Sequence, residues 1–241
     1  MTTIVLLNNI DHADLRVTGG YGAEFGDAVN QTRVFPSEFE ALQREYPILF
    51  RRDAAGAYYS IVILGLDLNE NLFLRQGEWR ARYVPAGHRR GPFSIGVQPG
   101  RPVSEREPKI NVDLDHPRVR QSDGEPVFLR HGGSAPVLDE ASDALALVYD
   151  GLEREASMFA AFEAAGLIEP VAIDISVGEG VRYDLEGVHA LSRDRLGRLD
   201  EEALVGLHRA GWLAQAFHAA SSVGAIDHLI ALKTAKAQQG E

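Results

Sequence analysis

Tyr46-Pro47-Ile48-Leu49-Phe50-Arg51-Arg52-Asp53-Ala54-Ala55-Gly56-Ala57-Tyr58-Tyr59-Ser60-Ile61-Val62-Ile63-Leu64-Gly65-Leu66 is the most strongly patterned stretch of the chain. Its two arms, residues 48–52 and 58–66, are rich in β-branched and aromatic side chains, which suit a pleated, half-buried surface. Asp53-Ala54-Ala55-Gly56 lies between them, with a glycine able to take positive φ. The pattern predicts a β-hairpin. Just upstream, Pro36-Ser37-Glu38-Phe39-Glu40 predicts the start of a short helix. Ser37 would cap it, Glu40 would reach back to Ser37, and Pro47 would stop it. Residues 72–74, 93–97, 110–114 and 127–129 are shorter strand candidates.

A second hairpin is written in strict alternation. Val171, Ile173, Ile175 and Val177 share one face, with Ala172, Asp174 and Ser176 on the other. Gly178-Glu179-Gly180 turns the chain, and Val181, Tyr183 and Leu185 resume the alternation. Helical spacing appears elsewhere in the C-terminal half. Leu145, Val148, Leu152, Ala156 and Phe159 recur at three- and four-residue steps before Gly166. Asp200, followed by Glu201 and Glu202, caps another helix carrying Leu204 and Leu207 and ending at Gly211. Leu213, Phe217, Ala220, Val223, Ile226 and Ile230 mark one last helix, and residues 235–241 read as frayed.

Strands thus gather before residue 130 and helices after 136. This segregation predicts an α+β fold. The sheet is expected to be mixed or mainly antiparallel in the N-terminal half, with helices and one hairpin in the C-terminal half. Residues 1–241 read as a single domain, with a β-rich part over 1–133 and a helix-rich part over 134–241. The proline-rich stretch 99–108 reads as a surface loop.

The 241 residues, 45% hydrophobic, are enough to bury a core without staples. There is no cysteine, which excludes disulfides, thiolate nucleophiles and Cys-ligated zinc or iron–sulfur clusters. Ile4 to Leu7 is too short an apolar run for a signal peptide, and no run approaches the ~20 residues of a membrane span. The chain therefore reads as soluble and cytoplasmic. A formal net charge of −11 disfavours nucleic acid and anionic membranes as partners. The charge is uneven. Arg75, Arg80, Arg82, Arg89, Arg90 and Arg101 face a single acid, Glu78, over residues 75–101, whereas residues 136–165 hold seven acids against Arg154. The plainer reading is a basic strip docked on an acidic helix or two solvated faces; the sharper one is an anion-binding surface.

Several motifs, in order, resemble one family. They are Asn8-Asn9 leading to Arg16-Val17, the Tyr46 to Asp53 segment, Leu64-Gly65-Leu66 with Glu70-Asn71-Leu72-Phe73-Leu74, and Trp79 with Tyr83-Val84-Pro85. Arg90 with Pro92-Phe93, Asp113-Leu114-Asp115-His116-Pro117-Arg118, and Gly211-Trp212-Leu213 before Ser221-Ser222 complete the set. The chain resembles the bacterial SapC-like family along nearly its whole length. That family takes its name from a surface-layer gene cluster. Its members are often labelled transport permeases, which a chain lacking a membrane span contradicts. Relatives tend to be encoded near TonB-dependent receptors, flavin-dependent tryptophan halogenases and cupin-like proteins. The resemblance therefore implies an accessory role in uptake or modification of a small molecule or peptide, and it carries over no catalytic residue set.

The candidate chemistry lies in three histidine settings. His12-Ala13-Asp14 would place both side chains on one strand face. With His116 or His131 as third ligand they could hold Fe(II) or another divalent metal, as in non-haem oxygenases. Turn and cap hydrogen bonds are the plainer reading. Asp113-Leu114-Asp115-His116 could pair carboxylates on one strand face, or end a strand with Arg118 bonded to an aspartate. His131-Gly132-Gly133-Ser134 precedes a helix and could favour an anion, though a strand–helix turn suffices. His218, Ser221, Ser222, Asp227 and His228 read as helix packing with polar flanks. Trp79 and Tyr83, at helical spacing beside Arg80 and Arg82, could line an aromatic or anionic ligand site together with Arg89, Arg90 and His131. The alternative is a core tryptophan with arginines reaching outward. No phosphate-binding glycine loop, dinucleotide fingerprint or hydrolase elbow is present.

Three functions follow as expectations. The first is an accessory binding protein with a protein partner or a small-molecule or peptide ligand, identifying no cofactor. The second is a metal-dependent enzyme using His12, Asp14 and His116 or His131. The third is a surface-layer or assembly component, which would form homo-oligomers.

Overall fold

The computed structural model describes residues 2–96, 108–177 and 181–239. The segment 46–66 forms the predicted hairpin. With β1 (Ile4–Leu6), β2 (Arg16–Val17) and β3 (Gln31–Arg33) before it, its arms are β4 (Ile48–Arg52) and β5 (Tyr58–Ile63). Asp53 closes the turn by accepting from Ala55 N–H and Ala57 N–H, and Gly56 takes φ +85°. The hairpin is the centre of a five-stranded antiparallel sheet, in the order β12-β13-β4-β5-β3. β12 (Ile168–Val177) and β13 (Val181–Leu191) are the second predicted hairpin, longer than the alternation suggested. Their connecting turn lies outside the described residues, as do residues 99–107 of the predicted loop and Val97 of its neighbouring strand. The pairing shifts between Val171 and Ile173, where Gly187 at φ +68° supplies the bulge. The large sheet thus takes strands from both halves of the chain.

Three smaller sheets surround it. β8 (Phe93–Gly96) and β9 (Lys109–Asp113) pair with β1 in the order β1-β9-β8. β10 (Val119–Arg120) and β11 (Glu125–Pro126) flank β2, and β6 (Leu74–Arg75) pairs with β7 (Glu78–Trp79). All described strand pairs are antiparallel. The predicted strand at 127–129 is displaced to β11, leaving an isolated bridge between Phe128 and Ser134. Helices concentrate after residue 135, so the fold is α+β as expected.

Helix α3 (Pro136–Ala164) is the longest element, following the short α1 (Phe39–Leu42) and α2 (Ala86–Arg89). It opens with proline at its first position, where the missing N–H costs nothing. Its apolar stripe packs on the sheet through Phe159 and Phe162, which meet Phe50 at 5.0 and 6.4 Å between ring centroids. Its Glu155, although buried, is satisfied twice: it accepts from the backbone N–H of Ser60 at 3.0 Å and from Arg33 at 2.5 Å. Gly151 lies against Phe35, where an added Cβ would come within 2.3 Å of the Phe35 Cβ. Part of the basic strip docks on this acidic helix, through α2, which packs directly on α3.

The start of α1 differs from the expectation. Glu38, not Glu40, reaches back, and it accepts from the N–H of Phe35 at 3.0 Å. Ser37 donates instead to Leu147 of α3. The cause is a 3-10 turn at Pro36–Glu38, which moves the first turn ahead of Ser37. The predicted last helix is also broken. After α4 (Arg193–Leu196) and α5 (Glu201–Ala210), α6 (Leu213–Ser222) and α7 (Ile226–Gln239) are separated by a 3-10 turn at Val223–Ala225. Ser222 explains part of α6. Among the described residues, His189 and Phe50 are the register pair between β13 and β4. Two residues along the same edge, the N–H of Ile48 donates instead to Ser222 Oγ at 2.9 Å. α7 continues to Gln239 rather than fraying at 235.

Glu70 ties α7 to the sheet. It is buried beneath Lys233 and Lys236 and accepts from the N–H groups of Leu66 and Asp67. Burial pushes its carboxyl up, but the hydrogen bonds from Lys233 and the two amides prevail and hold it down at about 2. Because the folded value lies below the ordinary 4.5, this stabilisation is complete above pH 4.5 and is lost as pH falls toward 2. Chemical denaturation between pH 6 and 3 should therefore show Glu70→Gln losing less stability on acidification than the parent. Parallel pH profiles would refute the role given to this carboxylate.

Candidate functional site

Among the described residues, a dense polar assembly joins three loops to α2. Asp27 is at its centre, 3% exposed. One carboxylate oxygen meets His88 Nδ1 at 2.8 Å; the other meets Arg118 Nη2 at 2.8 Å and the N–H of Gly22 at 3.0 Å. The Asp27 carbonyl accepts from Asn71. Burial raises the Asp27 carboxyl, yet His88, Gly22 and Arg118 together hold it below the ordinary carboxylate range. Arg118 also donates to the carbonyl of Gly20, and its guanidinium lies 4.4 Å from the Phe25 ring centroid and 5.3 Å from that of Tyr21.

A second buried chain of hydrogen bonds supports α2. Trp79 Nε1 donates to Tyr46 OH at 2.8 Å, and Tyr46 OH donates to the carbonyl of Tyr83 at 2.7 Å. Tyr83 OH donates to Glu38 at 3.1 Å, and the same oxygen accepts from the N–H of Ala86 at 2.7 Å. Burial raises the Glu38 carboxyl despite these donors and Arg89 nearby. Trp79 and His88 rings lie 4.9 Å apart, and Tyr21 meets Trp79 edge-on at 5.5 Å. The position of α2 is therefore over-determined from below.

Two clefts open beside this assembly. One, of about 390 Å³, lies between Gly19-Gly20-Tyr21, the end of α2 and the first turns of α3. The other, of about 350 Å³, is bordered by Phe25, Thr32, Gly87 and His116. His88, Arg90, Gly91 and Arg118 border both. The cations here are not equivalent. Arg118 is paired with Asp27, and Arg89 lies 3.8 Å from Glu140 of α3. Arg90 is half-buried and donates to the carbonyl of Phe93 at 2.6 Å, but no carboxylate pairs with it among the described residues. Burial alone pushes its guanidinium down. His116 borders the second cleft; burial, then the Arg118 charge, lowers its imidazole, and its Nδ1 accepts from the N–H of Arg118.

The structure sorts the predicted ligand-binding residues into three groups. Arg89 and Arg90 border the first cleft. Trp79 and Tyr83 lie behind it as supports, and their helical spacing is corrected: Trp79 is on β7, and Tyr83 lies in the loop before α2. Arg80 pairs with Glu78 on the surface, and His131 is at an exposed turn closed by Gly132 and Gly133. Neither belongs to the clefts.

The structure places the residues of the expected metal set apart from one another. Residues 8–14 form turns, not a strand, because Asn8 Oδ1 accepts from the N–H groups of Ile10 and Asp11. His12 closes back on the Asn8 backbone, so His12 and Asp14 share no strand face. His116 is held in the turn before Arg118. Among the described residues no three His, Asp or Glu side chains gather to hold a metal ion. Asp113 caps a local turn by accepting from the N–H of Asp115, and Asp115 accepts from the N–H of Thr3, far away in sequence. His218 and Ser221 bond Gln43, in keeping with packing.

Asp27, Glu38 and Tyr21 were missed by sequence reasoning. Asp27 follows Gly26 with no local pattern, and its partners lie 61 and 91 residues away. The only signal was indirect: Arg118 was expected to bond an aspartate, but the one it finds is not in its own motif.

The SapC family model matches residues 7–229. The chain therefore belongs to the SapC family. No curated protein and no solved structure shows a significant match. Among the described residues, no helix is long and apolar enough to cross a membrane.

Proposed function

We propose that this SapC-family protein is an accessory binding protein. It holds a small molecule or peptide through an anionic group in the cleft between the Gly19-Gly20-Tyr21 loop, α2 and α3, in support of that ligand's uptake or modification. Arg90 carries the reading. A partly desolvated guanidinium without a carboxylate partner is costly, and an incoming carboxylate or phosphate would offset that cost through forked hydrogen bonds. Arg89, tied only loosely to Glu140, supplies a second cation at the rim. The buried support under α2 keeps these groups in place before a ligand arrives, which lowers the entropy lost on binding. The link to uptake or modification rests on family resemblance alone.

Titration of the full chain with acetate and with inorganic phosphate, followed by NMR, tests this reading. Binding to the parent should weaken at least tenfold in Arg90→Gln, with thermal stability unchanged or raised. Equal affinity in parent and variant, or no binding of either anion, would overturn it.

A further inference from the structure

The hydrogen bond between Asp27 and His88 decides what kind of ligand the cleft accepts. Asp27 is ionised and can only accept, so the proton of a neutral His88 must sit on Nδ1, facing Asp27 Oδ1 at 2.8 Å. In that neutral form Nε2 carries a bare lone pair. The His88 side chain is 10% exposed, it borders both clefts, and among the described residues Nε2 has no hydrogen-bond partner. A plain anion set against that nitrogen would place lone pair against lone pair. A ligand that brings an O–H or N–H there satisfies it.

We propose that the cleft recognises a two-part ligand, an anionic group for Arg90 and an adjacent O–H or N–H donor for His88 Nε2. Peptides and N-acyl amino acids ending in a free carboxylate, and small hydroxy acids, have this chemistry; simple monocarboxylates and tertiary amides do not. The proposal rests on the anion-binding reading above and makes His88 the residue that sets specificity. The charged and titratable neighbours agree with it. Arg118 faces Asp27, Arg89 faces Glu140, Glu38 is occupied by Tyr83 and the backbone, and the His116 Nδ1 is taken by the Arg118 N–H. Glu125 and Glu140 also border the first cleft as charged acceptors, while His88 Nε2 is an uncharged acceptor beside Arg90, which no carboxylate pairs among the described residues.

Calorimetric titration of the full chain at pH 7.5 with matched probes tests it. N-acetylglycine should bind at least tenfold more tightly than N-acetylsarcosine, and glycolate more tightly than acetate. His88→Asn retains an amide donor for Asp27 but lacks Nε2, and should bind N-acetylglycine and N-acetylsarcosine equally while still binding acetate. In the unmutated protein, the ¹⁵N resonance of His88 Nε2 should shift with N-acetylglycine and not with N-acetylsarcosine. If all four probes bind alike, or if His88→Asn keeps the preference, the specificity claim fails and anion binding stands. If none binds, the anion site itself fails.

Discussion

Asp27→Ala should destabilise the fold by about 3–5 kcal/mol, the range for removing one partner of a buried ion pair. Arg118 would be left 6% exposed with no carboxylate, and His88 Nδ1 and the Gly22 N–H would lose their acceptor. Most of the loss should come from stranding Arg118 rather than from a missing attraction. Adding Arg118→Met to Asp27→Ala should therefore recover much of it, since methionine can still pack against Phe25 and Tyr21. Denaturant unfolding of the parent, both single variants and the double variant measures the coupling. Strictly additive losses would show that Asp27 acts through something other than Arg118.

Phe50→Ala should cost a similar amount, about 3–5 kcal/mol, through lost apolar burial and the cavity left behind. Phe50 is fully buried and meets Phe159 edge-on across the sheet–helix interface. Phe159 in turn stacks on Tyr58 of the opposite hairpin arm at 5.5 Å. A small space-filling change such as Phe50→Leu should be much milder. If unfolding midpoints of Phe50→Ala and Phe50→Leu coincide, packing at this contact is not what holds α3 to the sheet.

These two side chains differ in how far they could be read in advance. Phe50 lies in a β-branched, aromatic run with a turn after it, so its strand and its burial are local properties. The alternating hairpin over 171–185 and the Asp200 cap of α5, which accepts from the Ala203 N–H, were legible for the same reason. The Trp79–Tyr83 spacing misled because period alone cannot register a two-residue hairpin ending at Trp79. His12-Ala13-Asp14 misled similarly, since a side chain on Asn8 captured the backbone and turned it. Arg89 and Arg90 were found because charge clustering survives in sequence, but nothing local marks which arginine has a carboxylate opposite it.

By itself the sequence determined the α+β class, the two hairpins, the absence of thiol chemistry and the family, because each depends on residue type and short-range periodicity. Only the tertiary structure decided that Asp27, His88 and Arg118 meet, that Arg89 faces Glu140 while Arg90 has no carboxylate partner among the described residues, and that the two hairpins share one sheet. Coulomb attraction, hydrogen bonding and desolvation act through space, and the partners that settle them here lie tens of residues apart along the chain.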